Sequence, residues 1–299
     1  MTTGWTPRPP GAASGPAGEQ LPELDMPDPG RQRRWTVLLR WLLLIPQMIV
    51  VALLGIAAFF LTIAGWFAAL VQGRLPHGIA RFLGDYLAYA TRVTASAMLL
   101  VDQYPPFALA APGYPVQIEL RPGELNRLAV LFRLILMIPA AIVSNLLQYG
   151  WAVICWVFWL ITLVLGRMPE PIFEASAAVL RFRLRFLAYA MMLTSAYPKR
   201  LFGDPVPPAL GYGAPAAPAA GAPAAAAGAP AAANATRPLV LSTGAKVLVV
   251  AFLVLGFVAG SLSSLGRGDE YYDDYDYDYD DKGRAAVHGV TRYDAGSGH

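Results

Sequence analysis

Shifted by 93 residues, the chain lies on itself: Arg34–Pro105 matches Arg127–Pro198 without a gap, and 26 of the 72 positions are identical. Two apolar stretches share some Leu and Ala by chance, but they do not share rare residues in register. Arg40, Pro46, Trp66, Gly73, Arg74, Pro76, Arg92, Tyr104 and Pro105 return as Arg133, Pro139, Trp159, Gly166, Arg167, Pro169, Arg185, Tyr197 and Pro198. This is an internal duplication, so one structural unit must fold twice and the two copies must find a way to pack on each other.

Each copy has the same layout. A basic start leads into 32 residues without a charge, Trp41–Gln72 and Leu134–Leu165. A Gly-Arg-x-Pro corner follows, then a partly polar helix, then a Tyr-Pro stop. As a helix, 32 residues reach about 48 Å, against a bilayer hydrocarbon core of about 30 Å. That is long for one span and short for two with a turn. One span per run, starting after a kink at Pro46 or Pro139, is the favoured arrangement, and a tight helical hairpin is the alternative.

Composition puts these runs in lipid. The chain of 299 residues is 56% hydrophobic and 14% charged, with a mean hydropathy of +0.45. Soluble domains carry about 25% charged residues, so this chain lacks the polar groups to cover a water-facing surface. Its net charge of +3 hides a segregation: arginines flank the apolar runs, while eight of the twenty acidic residues fall between Asp269 and Asp281. That placement suits a membrane and not a nucleic-acid face. The first thirty residues have no apolar core, so no signal peptide is expected ahead of the first apolar run. Twenty arginines against three lysines, with abundant Ala, Gly and Pro, suggest a GC-rich bacterial genome.

The second helix of each copy holds the ionisable groups. His77, Arg81, Asp85, Arg92 and Ser96 fall on one face at helical spacing, as do Glu170, Glu174, Arg181 and Arg185. The remaining faces are apolar. Such a helix lies in the interface, or crosses with its polar stripe turned into a bundle, where two duplicated stripes would face each other.

The other segments differ in kind. Tyr114–Leu120 alternates like a short strand. Pro205–Pro238 is an Ala/Pro/Gly spacer. Val247–Leu265 is nineteen charge-free residues, the length of one span, and Gly256, Gly260 and Ser264 form a small-residue face suited to close helix packing. The fold class expected is therefore all-α integral membrane: two tandem helical repeats, each a long apolar helix plus an amphipathic one, and a separate C-terminal transmembrane helix. The expected divisions are a disordered N-terminus (1–32), repeat 1 (33–108), a connector with a short strand (109–125), repeat 2 (126–204), a linker (205–238), the anchor (239–266) and an acidic Asp/Tyr tail (267–299).

Catalytic constellations are missing. His77, His288 and His299 have no metal-ligand spacing, Cys155 is the single cysteine, and the nucleophile-elbow, phosphate-loop and metalloprotease signatures do not occur. Asp276, Asp278 and Asp280 imitate a calcium loop, but Asp281 stands where that loop needs glycine. No enzyme activity, cofactor or metal is expected.

The landmarks Arg-Trp-Leu-Leu-Leu-Ile-Pro (40–46), Gly-Arg-Leu-Pro (73–76) and Leu-Leu-Val-Asp-Gln-Tyr-Pro-Pro-Phe (99–107) resemble the bacterial domain of unknown function DUF4389, which occurs as tandem copies in membrane proteins. Copy two departs at Thr194–Arg200, where the Asp and the second Pro are lost. The resemblance implies an envelope protein and transfers no catalytic residues.

The function expected is a non-enzymatic scaffold or interaction module in the inner membrane, with the N-terminus cytoplasmic and the tail outside. A small transporter or lipid- or ion-handling protein built on the paired stripes is the alternative. The candidate partners are the bilayer, a second copy of the chain and a protein docking on the acidic tail; nucleic acid is excluded.

Overall fold

The computed structural model describes residues 21–120, 125–204 and 239–265, with side chains as far as 262. The spacer and the acidic tail lie outside these residues. In chain order the described elements are β1 (Glu23–Asp25), α1 (Arg34–Gln72), α2 (His77–Ala97), β2 (Gln117–Glu119), α3 (Arg127–Leu165), α4 (Glu170–Ala190) and α5 (Thr243–Leu265). Each charge-free run belongs to one unbroken helix of 39 residues, about 58 Å long, which passes through Pro46 or Pro139. The hairpin alternative does not form. A proline inside a helix removes one hydrogen bond and crowds one carbonyl; reversing the chain needs a turn sequence, which neither run contains.

The Gly-Arg-x-Pro corner explains itself. Gly73 and Gly166 close α1 and α3 with φ of 71° and 68°, a left-handed cap that glycine adopts without strain. Their N–H groups return to the Ala69 and Thr162 carbonyls, both at 2.8 Å. Pro76 and Pro169 then stand directly before α2 and α4. The duplication preserves a costlier feature as well. Leu99 and Met192, equivalent residues, both adopt φ near 60° in a Schellman turn closed by Leu100 N–H to Ala95 O and Leu193 N–H to Ala188 O.

The two copies pack antiparallel. The Trp66 indole N–H donates to the Val130 carbonyl at 3.1 Å, and the Trp159 indole N–H donates to the Val37 carbonyl at 2.8 Å. Trp66 and Trp159 are equivalent, as are Val37 and Val130, so the contact is its own partner under a pseudo-two-fold. The start of α1 therefore meets the end of α3: Gln32 N–H bonds Gly166 O, and Arg34 reaches Val164 O at 3.2 Å. Within each copy the amphipathic helix folds back along the apolar one, as the contacts of Gln47 with Tyr89 and of Arg40 with Ser96 show for α1 and α2.

The result is layered. α1 and α3 form one layer, and α2 and α4 form a second that also meets face to face. Across the second layer β1 pairs antiparallel with β2, with Leu24 opposite Ile118; β1 touches α4 and β2 touches α2. The alternation of Tyr114–Leu120 thus yields a three-residue strand. Its partner lies inside the N-terminal stretch expected to be disordered, where Leu24 and Met26 are in fact buried. The core, including Leu83, Leu87, Phe173, Leu180 and Leu184, fills the space between layers. Exposed large apolar side chains crowd α1, α3 and α5, whereas α2 and α4 have none.

α5 lies against α3 with almost nothing between the backbones. A Cβ on Gly150 would collide with the Phe252 carbonyl, and one on Gly256 with the Leu146 carbonyl. Phe158 and Phe252 pack edge to face beside this contact, with centroids 5.9 Å apart. Of the expected small-residue face, Gly256 makes this contact, Gly260 faces open space, and the Ser264 side chain is outside the described residues. The described residues through Gly260 form one compact unit, and Ser261 begins a second of which only the end of α5 is described.

Candidate functional site

Two polar clusters, one per copy, join each apolar helix to the chain that follows its amphipathic partner. In copy one Arg40, 3% exposed, donates to the Ser96 hydroxyl at 2.8 Å and the Val101 carbonyl at 2.9 Å. It also pairs with Asp102 at 3.3 Å, whose carboxylate accepts from Thr36 at 2.6 Å. Gln47 reinforces the join by donating to Pro105 O at 2.7 Å while accepting from the Tyr89 hydroxyl. In copy two Arg133 keeps the bond to the equivalent carbonyl, Thr194 O, at 2.8 Å. Tyr189 replaces Ser96, and Arg133 lies 4.1 Å over its ring; Ser195 replaces Asp102. A cation over a tyrosine face recovers part of what the lost carboxylate supplied.

This difference predicts unequal dependence on the acid. Asp102→Asn is expected to destabilise by about 1.5–3 kcal/mol, the range of hydrogen bonds to charged groups. Ser195→Asp, at an exposed position beside an arginine that lacks a carboxylate, is expected to stabilise by about 1 kcal/mol. Thermal unfolding of the two variants in one detergent checks both signs.

The polar stripes divide into two sets. His77, Arg81 and Glu170 are exposed, and the Arg81–Asp85 pair, at 4.0 Å on the surface, contributes under about 0.5 kcal/mol. Arg92, Arg181 and Arg185 are each 4% exposed or less and grip loops. Arg92 donates to Ala108 O and Leu109 O at 2.6 and 2.8 Å. Arg185 donates to Pro22 O at 3.2 Å and Lys199 O at 3.1 Å. Arg181 pairs with Asp204 at 2.6 Å and donates to Arg200 O at 3.3 Å. Burial first, then the neighbouring Arg181, pushes the Arg185 guanidinium down to about 10, with Asp204 opposing. Burial likewise holds the Tyr114 phenol, in the connector, well above its ordinary range. Glu174 serves the start of α5: it accepts the Ser242 N–H at 2.8 Å, and the Ser242 hydroxyl accepts from Ala245 N–H at 3.3 Å.

The stripes therefore do not meet across the pseudo-two-fold. α2 and α4 touch through Thr94, Leu180 and Arg183 instead, where Arg183 donates to Thr94 Oγ1 at 3.3 Å beside a cavity of about 140 Å³. Substrate pockets run to about 300–1,000 Å³. Among the described residues no three His, Cys, Asp or Glu side chains come together as metal ligands. Asp204 and Gln47 were not singled out by the sequence. Asp204 lies beyond the duplicated register, and Gln47 is replaced by Ala140 in copy two, so the repeat gave neither a signal.

Fold and site together define a class: a helical protein of two tandem, antiparallel copies whose buried arginines tie loops to helices beneath an apolar outer layer. Residues 34–108 and 127–201 each match the sequence profile of the domain of unknown function DUF4389, and the chain belongs to that family. Neither a curated protein nor a solved structure matches the chain.

Proposed function

We propose that the protein is a membrane-embedded scaffold of the bacterial envelope, whose duplicated core is a rigid platform and whose spacer and acidic tail reach a protein partner. The observation that supports this reading most is how the ionisable side chains of α2 and α4 are used. A conduction or transport path needs polar groups lining a passage, whereas Arg92, Arg181 and Arg185 are committed to backbone carbonyls and to Asp204. The exposed apolar surface of α1, α3 and α5, three helices long and apolar enough to cross a bilayer, supports the membrane assignment. The basic residues ahead of the first charge-free run (Arg31, Arg33, Arg34, Arg40), ahead of the second (Arg121, Arg127, Arg133) and after copy two (Lys199, Arg200) favour a cytoplasmic N-terminus in the inner membrane.

In-membrane cross-linking tests the reading. The full chain is expected to give a cross-linked complex that disappears when the chain is truncated after Arg267, leaving the helices intact. An unchanged complex from the truncated chain, or solute flux through proteoliposomes of the purified protein, would count against it.

A further inference from the structure

We propose that α1 and α3 lie within a single leaflet of the bilayer, so that α2, α4 and the two-stranded sheet face water on one side of the membrane. This rests on the membrane reading above and specifies which surface the lipid takes.

The first ground is length. Exposed apolar side chains run along α1 from Trp35 to Val71 and along α3 from Leu128 to Leu165. At 1.5 Å per residue the α1 band covers about 54 Å, against a hydrocarbon core of about 30 Å. Fitting 54 Å into 30 Å by tilting alone takes about 56°, outside the range of roughly 0–40° found for spanning helices. A helix with its side chains is about 10–12 Å thick, which fits one leaflet of about 15 Å.

The second ground is where the irregular backbone goes. Asp102 sits beside Thr36 and Arg40 at the start of α1. The chain then passes Arg92 at Ala108 and Leu109, packs Leu120 near Gly84, and brings Leu125 to Gly73 at the end of α1. The described residues between α2 and α3, 98–120 and 125–126, therefore reach from one end of the layer to the other outside any helix. After copy two, residues 194–204 likewise run from Thr194 beside Arg133 past Arg185 and Arg181, and residues 239–242, joined to Asp204 through the Leu239 carbonyl, continue to Ser242 beside Glu174. If α1 and α3 crossed the bilayer upright, with α2 and α4 packed along them, both irregular segments would cross it too. Lipid-exposed non-helical backbone is excluded from hydrocarbon, because its unpaired N–H and C=O groups cost several kcal/mol each. The chain between α2 and β2 nevertheless exposes Gln103 and Ala108–Ala110, and exposed Glu23, His77 and Arg81 occupy the same layer. With that layer in water and the α1–α3 layer in lipid, these constraints are met together. The pseudo-two-fold then stands along the membrane normal and both copies have the same sidedness.

The test uses single cysteines at exposed arginines in a Cys155→Ser chain of full length: Arg74→Cys after α1, Arg167→Cys after α3, and Arg81→Cys one turn into α2. Sealed membrane vesicles of both orientations are treated with a membrane-impermeant maleimide. All three positions are expected to label from one and the same face. Labelling of Arg74→Cys and Arg167→Cys from opposite faces, or protection of Arg81→Cys on both, overturns the single-leaflet arrangement while leaving the scaffold reading standing. Release of the chain by an alkaline carbonate wash would overturn the membrane reading itself.

Discussion

Asp204→Asn is expected to lower stability by about 3–5 kcal/mol, the cost of leaving a buried charge without its partner. The Asp204 carboxylate, 18% exposed, lies 2.6 Å from Arg181, 3.7 Å from Arg185 and 3.8 Å from Arg200. Asparagine keeps the shape but withdraws the carboxylate that lies within 4 Å of all three cations, leaving Arg181 and Arg185 only the weaker attraction of Glu23. Arg181 and Arg185 cannot turn to solvent, because their remaining donors hold Arg200 O, Pro22 O and Lys199 O. The N-terminal strand and the segment leading to α5 should therefore loosen together. Arg200→Gln is the control: its guanidinium is 52% exposed, and its loss is expected to cost under about 1 kcal/mol. Denaturation of both variants in detergent would contradict the account if the two losses were equal.

Gly256→Leu is expected to lower stability by about 3 kcal/mol, at the upper end of typical overpacking costs. The obstacle is the Leu146 carbonyl, part of the α3 backbone, which cannot rotate aside as a side chain would. Leucine is the better helix former by about 0.8 kcal/mol, so propensity alone predicts the opposite sign. Gly260→Leu separates the two effects: nothing lies within 4 Å of its Cβ position, and it is expected to stabilise slightly. Thermal unfolding that moved both variants the same way would dismiss the backbone contact between α3 and α5.

The helices were legible because their signals are local. The glycine that caps each charge-free run and the proline that opens the next helix place the ends of α1 and α3 and the starts of α2 and α4. The other ends are less marked: α1 and α3 begin seven residues before their charge-free runs, and α2 and α4 end seven residues before the Tyr-Pro stops. The course of the chain between helices was not legible. Arg92 and Arg185 bind backbone carbonyls, which have no residue identity, so the pattern of the stripe could not tell a loop clamp from a bundle interior. The direction of one copy relative to the other was equally hidden, since a duplicated sequence reads the same whether its copies pack parallel or antiparallel. It took Trp66 on Val130 and Trp159 on Val37 to decide it. Gly150 has no mark in the sequence for a related reason. Its equivalent in copy one is Ala57, and its partner Phe252 lies beyond the repeat, so neither the duplication nor a small-residue spacing marked it.

The antiparallel pairing of the copies underlies the layers, the clamps and the membrane disposition alike, and a distance measurement tests it directly. Spin labels at positions 34 and 167 are expected to lie close together, because Arg34 reaches Val164 across the interface. Labels at 34 and 127, the equivalent starts of α1 and α3, are expected to be separated by about 50 Å, nearly the length of a 39-residue helix. A short distance between 34 and 127 with a long one between 34 and 167 would mean that the copies run parallel, and would contradict the account at its root.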